Sequence, residues 1–311
     1  VTGPPPCVAD IRSAVRRALT DLAPGAPIGV ALSGGADSLA LLAAAAFEWP
    51  DVTALVVDQD WHPASALTAT ATAALARSLG AGALVLAGPA PREEAAARTA
   101  RYRALDQAAD ARGLVTVLLG HTRDDQAETV LLALTRGSGA RSLAGMAAVR
   151  GRYRRPLLGL DRATTVAACA ALGLEPHHDP ANDDLRFARV RVRRLLAEAL
   201  GREVTTGLAT TARLLRDDAD LLDALADEAG ATVSAPDGLS VEGLAALHPA
   251  LRRRLLHRLR AGLTVAHVDA LDALVTAWHG QGRVALPGGV SAVRASGRIS
   301  LVPSGVRPPR S

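Results

Sequence analysis

Six residues near the start of the chain, Ser33-Gly34-Gly35-Ala36-Asp37-Ser38, follow an apolar run at 28–32 and lead directly into a segment of helical character. A strand, a Gly-Gly turn and a helix N-terminus gather several backbone N–H groups around one point. The helix dipole adds about half a positive charge there, so the chemistry suits phosphate. Gly34 and Gly35 let the backbone approach closely, and Ser33 and Ser38 add hydroxyl donors. Asp37 places a carboxylate where phosphates would sit, which makes sense if Mg²⁺ bridges the two. The plain alternative is a tight turn with Asp37 or Ser38 as the helix cap.

Two more polar clusters have the same kind of position. An apolar run at 52–58 ends at Asp58 and continues as Gln59-Asp60-Trp61-His62-Pro63. Another ends at Gly120 and continues as His121-Thr122-Arg123-Asp124-Asp125-Gln126-Ala127-Glu128-Thr129. Asp125 and Glu128 are three apart, so on a helix they share a face and could hold a metal ion or position a nucleophile. Acidic capping of a helix N-terminus explains the same cluster without chemistry.

The elements that would carry these residues alternate. Strands are expected at 28–32, 52–58, 83–87 and 115–120, with helices at 38–47, 64–79, about 92–111 and 124–135. Such alternation indicates parallel βαβ units and an open, doubly wound, mostly parallel α/β sheet. Ligands of such sheets bind at the carboxyl ends of the strands, which would bring all three clusters to one crevice. Beyond Gly137 the strand signal fades. Helices are expected at 162–172 and 186–200, and an all-helical stretch over 204–280. Short apolar runs at 284–287, 290–294 and 299–302 suggest a small antiparallel sheet. The shift in pattern divides the chain into domains 1–203 and 204–311.

Composition narrows the classes. Hydrophobic residues make up 49% and charged ones 21%, as in a globular protein. The apolar run 39–47 has 9 residues, about half of what a membrane span needs. The first residues lack a basic start and an apolar stretch, so the expected location is cytoplasmic. The chain has no lysine, which excludes a lysine Schiff base and a GxxxxGK[ST] loop. Its two cysteines, Cys7 and Cys169, cannot build a disulfide framework. Aromatics are scarce at 2%, too few for RNA-stacking platforms. Residues 150–194 hold 10 arginines against 5 carboxylates, net +5, which exceeds the +4 of the whole chain. A polyanion partner or a solvated surface would account for this.

The 33–38 loop matches SGGxDS, the pyrophosphate-loop signature, and the chain is similar to the tRNA(Ile)-lysidine synthetase family in one continuous order. The matching stretches are 33–38, 57–63, Arg98 to Tyr102, 120–129 with Arg136-Gly137, Gly145-Met146, and Arg155-Pro156-Leu157-Leu158. They continue with Asp179-Pro180-Ala181-Asn182 through Arg186, Arg189 and Arg194. The chain departs at Gln59-Asp60-Trp61, where the family usually has a histidine after the first aspartate. The length of 311 residues fits the family's shorter form.

The resemblance implies a Rossmann-like, adenine-nucleotide-alpha-hydrolase-like sheet and a smaller, mainly helical C-terminal domain that binds tRNA. It implies ATP and Mg²⁺ as cofactors, with free L-lysine and a CAU-anticodon tRNA(Ile) as partners, no membrane partner, and a homodimer as a conceivable assembly. The reaction would adenylate the wobble cytidine and then let lysine replace AMP. Ser33, Gly34, Gly35, Ala36, Asp37, Ser38, Asp58 and His121 would line the nucleotide site. Asp37, Arg101, Asp125 and Glu128 would act in catalysis, with Mg²⁺ on Asp37 and Glu128, or with the lysine ammonium near Asp125 and Glu128.

In 186–200, Ala188, Val192, Leu195, Leu196 and Ala199 form one helical stripe, and Arg186, Arg189 and Arg193 fall on another face. That face is expected outside, on tRNA phosphates. His177-His178-Asp179 reads as a loop former and not a metal site. Arg252-Arg253-Arg254 with Arg258 and Arg260 reads as a solvated face, with tRNA-stem binding second. The rival readings are a tRNA 2-thiolation enzyme, which would want paired cysteines, and a non-catalytic ATP-binding module.

Overall fold

Burial along the strands sets the two sides of the main sheet. The computed structural model describes residues 3–58, 65–88, 94–177 and 183–304. Four apolar runs form parallel strands: β1 (Ile28–Ala31), β2 (Val52–Asp58), β3 (Gly82–Ala87) and β4 (Thr116–Leu119). In β4, Leu118 enters one core while Val117 and Leu119 enter the other. In β2, Ala54 and Val56 oppose Leu55 in the same way. This two-sided burial is what a parallel sheet covered by helices requires.

One side is covered by α1 (Pro6–Ala18), α2 (Ala36–Glu48), α3 (Ser65–Ser78) and α7 (Arg162–Ala171). The other carries α4 (Glu94–Arg112), whose Leu105, Ala108 and Ala109 pack on Leu55, Val117 and Leu119. The strand order β3-β2-β1-β4-β6-β5 includes two 2-residue strands, β5 (Val149–Arg150) and β6 (Tyr153–Arg154). β6 runs parallel to β4, and β5 pairs antiparallel to β6. The sheet is the doubly wound, mostly parallel α/β sheet expected.

Outside this sheet, α5 (Arg123–Thr135) packs through Ala127 on Val192 and Leu196, the latter two from α8 (Ala188–Leu195) and a π-helical turn, Leu196–Leu200. A short α6 (Ala140–Leu143) intervenes. The long α9 (Gly201–Val233) follows, and the chain divides into two compact units within it, after Arg216. The pattern shift at 203/204 marks the start of this helix, and the units part a few turns later.

The second unit buries Leu244, Leu256, Leu271, Leu274, Ala292 and Ile299 among α10 (Val241–Ala246), α11 (Pro249–Arg258), α12 (Val265–Thr276) and a five-stranded sheet. The stretch 204–280 is therefore not all helical. It contains the hairpin of β7 (Ser234–Ala235) and β8 (Gly238–Ser240), and β8 joins β11 (Arg298–Pro303). β9 (Val284–Leu286) and β10 (Val290–Ala295) complete the expected antiparallel sheet. The arginine run on α11 is neutralised within the unit. Arg252 pairs with Asp272 at 2.6 Å, Arg254 with Asp223 at 3.2 Å and Arg258 with Asp227 at 2.6 Å, and Arg253 meets Asp269.

Candidate active site

The phosphate loop is built as its sequence requires. Gly34 has φ +86, a left-handed conformation that favours glycine, and a Cβ there would come within 3.2 Å of Thr72 Oγ1. Its carbonyl accepts from the His177 amide at 2.9 Å. Ser38 ties the turn to the helix: its hydroxyl donates to the Gly35 carbonyl at 3.0 Å and accepts from the Ser33 amide at 3.2 Å. The two hydroxyls of Ser33 and Ser38 lie 3.1 Å apart. α2 starts at Ala36, so the first amides of a 13-residue helix open onto this turn. Gly120, at the end of β4, lets that strand approach: a Cβ there would stand 3.0 Å from the Asp37 backbone. The loop and the Asp125/Glu128 cluster are thereby held side by side.

Three carboxylates converge. The Asp37 carboxylate takes Arg162 Nε at 3.1 Å and the Thr165 hydroxyl. Asp125 uses one oxygen to cap its own helix, accepting from the Thr122 amide at 2.8 Å. Its other oxygen accepts from Arg162 Nη2 at 3.2 Å and Arg189 Nη2 at 3.3 Å. One Asp125 oxygen therefore serves the helix cap, and the other faces two guanidiniums. Glu128, 1% exposed, accepts from Arg189 Nε at 2.8 Å and Arg193 Nε at 2.7 Å.

Electrostatics separate these groups. Burial raises the Asp37 carboxyl above its ordinary value, against the opposing pull of Arg162 and Thr165. Burial also pushes Asp125 up, but Arg162, Arg189 and the Thr122 amide outweigh it and hold that carboxyl below the usual range. Burial, joined by Arg155, Arg189 and Arg98, lowers His121 to about 4 against the opposing pull of Asp125, so its imidazole is neutral at pH 7. Among the described residues, His121 Nδ1 is buried without a hydrogen-bond partner. Burial and Asp37 push the Cys169 thiol up to about 11, so it stays protonated.

The structure thus brings together Asp37, Asp125 and Glu128, with His121 beside Asp125. Arg101 is half-buried on α4, near Tyr102, which meets Tyr153 edge-on with ring centroids 4.9 Å apart. Asp58 closes β2, its carbonyl accepting from the Gly88 amide. Residues 59–63 and 178–182 of the matching stretches lie outside the described residues.

The expected basic outer face of α8 requires correction. Arg189 and Arg193 turn onto Glu128, because a carboxylate buried on α5 needs counter-charge. Val190 and Val192 are buried, while Ala188, Leu195 and Ala199 of the expected stripe are exposed. Only Arg186 of the three is exposed, and it pairs with Asp184 at 2.6 Å. Arg162 is the functional candidate that the sequence reading passed over. A cation in the first turn of a helix opposes the helix dipole, which is the signal that a carboxylate partner awaits it.

A cavity of about 240 Å³ opens beside the cluster, with Asp124, Glu128, Asp161, Arg162, Arg193 and Thr205 on its wall. Among the described residues, no group of three or more His, Cys, Asp or Glu is spaced to hold a metal by itself. Mg²⁺ is commonly shared between one or two carboxylates and substrate phosphates. Asp37, within the phosphate loop, could serve as such a carboxylate, whereas Glu128 is engaged by Arg189 and Arg193.

A glycine-turned phosphate loop at the first strand of a doubly wound sheet, with acidic residues at the neighbouring strand end, defines a pyrophosphate-loop domain. The PP-loop domain family matches residues 9–200, and the TilS substrate-binding domain family matches residues 239–300. The tRNA(Ile)-lysidine synthase of Thermobifida fusca is 51% identical over 319 residues, covering 96% of this chain and 98% of its own. That of Salinispora tropica is 48% identical over 327 residues, covering 97% and 98%. The chain belongs to the tRNA(Ile)-lysidine synthase family. A U34-tRNA thiolase from Methanococcus maripaludis, solved with its 4Fe-4S cluster, shares the fold at a TM-score of 0.56 and 18% identity. That match covers 67% of this chain and 80% of the thiolase. Among the described residues no helix is long and apolar enough to cross a membrane.

Proposed function

We propose that this chain joins free L-lysine to the wobble cytidine of CAU-anticodon tRNA(Ile), forming lysidine at the expense of ATP in the cytoplasm. The observation that carries this reading is the convergence of Asp37, Asp125 and Glu128 beside the phosphate loop. The 33–38 loop, with Asp58 and His121 at the neighbouring strand ends, would line the nucleotide site. Its backbone amides suit the β and γ phosphates, which leave together as pyrophosphate. The cytosine O2 attacks the α-phosphorus, the bond to the β-phosphate oxygen breaks, and the base becomes adenylated. The ε-ammonium of lysine gives up a proton, the free amine attacks C2, the C2–O bond breaks and AMP leaves.

Mg²⁺, held by Asp37 with the phosphates, would neutralise charge on the leaving pyrophosphate. Asp125 and Glu128 would receive the lysine ammonium. The adjoining cavity, lined by both guanidiniums and carboxylates, suits a zwitterion. Arg101 is assigned to the charge developing on phosphate. Arg186, exposed just ahead of α8, is assigned to tRNA phosphate. Product analysis tests the reading: AMP and pyrophosphate should form in step with modified tRNA. ADP and inorganic phosphate as main products would reject it.

A further inference from the structure

Arg162 has an unusual position for an enzyme that must receive a cation. Each nitrogen of its guanidinium faces a different carboxylate: Nε lies 3.1 Å from Asp37, Nη2 3.2 Å from Asp125 and Nη1 3.7 Å from Glu128. Its backbone is held from behind, with the amide donating to Asp124 at 2.8 Å, and Asp161 caps the same helix by accepting from the Thr164 amide at 2.9 Å. Thr165, one turn on, holds the far oxygen of Asp37.

Counting charges shows the consequence. Three carboxylates, Asp37, Asp125 and Glu128, meet three guanidiniums, Arg162, Arg189 and Arg193, so the cluster is formally neutral before any substrate arrives. An incoming alkylammonium would make it cationic unless one guanidinium gives way. Arg189 and Arg193 hold Glu128 at 2.8 and 2.7 Å, whereas Arg162 at 3.7 Å is beyond hydrogen-bond reach of it. Arg162 also stands on the cavity wall beside Glu128. Of the three carboxylates of the cluster, Glu128 is the one on the cavity wall, and Arg162 is the cation with the weakest hold on it.

We propose that Arg162 is a resident counter-cation, a positioning residue that occupies the Asp125/Glu128 carboxylates until the ammonium of the amine substrate displaces it. It keeps three like charges together in the empty site, and it sets substrate affinity by competing for the same oxygens. This rests on the assignment of the ammonium to Asp125 and Glu128. A merely structural arginine would weaken both binding and turnover when removed. A competing one does the opposite to binding, so KM and kcat move apart.

The test is calorimetric binding of L-lysine to the full-length protein, with L-norleucine, which keeps the carbon chain and the α-ammonium but lacks the ε-ammonium that the carboxylates would hold, as the control probe. Arg162→Gln should bind lysine roughly ten-fold more tightly, ~1.4 kcal/mol, and lower KM while kcat falls. Norleucine binding should not change. Arg162→Lys, whose shorter point charge cannot face three carboxylates, should fall between wild type and Arg162→Gln. If the Gln variant does not fold, that ordering decides alone: lysine bound more tightly than by wild type supports the proposal, and equal or weaker binding overturns it. Glu128→Gln separates the two levels. If it weakens lysine binding while neither Arg162 variant strengthens it, the counter-cation idea falls and the ammonium assignment stands. If it leaves lysine binding unchanged, the assignment fails and the proposal with it.

Discussion

Replacing Glu128 by glutamine removes one charge and almost no volume, so its cost isolates the ion-pair network. The carboxylate is 1% exposed and accepts charge-assisted bonds from Arg189 and Arg193 at 2.8 and 2.7 Å. Breaking a fully buried ion pair by removing one partner costs about 3–5 kcal/mol. Here the two arginine side chains keep 26% and 32% exposure, so water can solvate part of the orphaned charge. Glutamine also retains one acceptor oxygen. The expected loss is therefore ~2–3 kcal/mol, read from urea denaturation followed by circular dichroism. Adding Arg193→Gln should recover about 1 kcal/mol, because it removes one of the unpaired cations. A Glu128→Gln protein within about 0.5 kcal/mol of wild type, a change typical of surface substitutions, would refute the claim that this carboxylate anchors α8 to α5.

Asp37→Ala should abolish pyrophosphate release while the circular dichroism spectrum and unfolding midpoint stay close to wild type, since burial already works against that carboxylate. Full turnover in the folded variant would remove Asp37 from the metal and phosphate chemistry. His121 keeps a folded value near 4 against 6.5 when unfolded, so below pH 6.5 the unfolded chain takes up a proton that the folded one refuses. Stability should fall as pH drops from about 6.5 to about 4, and His121→Gln should flatten that slope in urea midpoints; an unaltered slope would contradict a buried neutral imidazole. Arg186→Gln should lower the log–log salt slope of tRNA binding by about 0.7–0.9 and leave ATP binding intact. An identical slope would make Arg186 only the partner of Asp184.

The phosphate loop was legible because a buried strand, two glycines and a helix start occur without a gap, and local geometry alone defines it. The strand ends followed from the βαβ alternation, which carried Asp37, Asp125 and Glu128 to one place. Helical periodicity showed that Arg189 and Arg193 share a face, but not that the face meets Glu128, 65 residues away from Arg193. Partnering at that range is a property of packing, not of pattern. β5 and β6, at 2 residues each, are too short to alternate visibly. The β7–β8 hairpin had a signal that was overlooked: Pro236-Asp237-Gly238 is a turn sequence within an otherwise helical stretch. On α11 the arginine run looked like a free basic face, yet Asp223, Asp227, Asp269 and Asp272 from neighbouring helices neutralise it.

The central claim is that this site makes lysidine, and labelled L-lysine tests it most directly. Purified protein, ATP, Mg²⁺ and unmodified CAU-anticodon tRNA(Ile) should transfer label to the wobble cytidine, located by nuclease digestion and mass spectrometry. Omitting ATP should prevent transfer, and so should replacing Asp37 by alanine. No label in the tRNA with ATP and lysine saturating, or label at any base other than the wobble cytidine, would contradict the account.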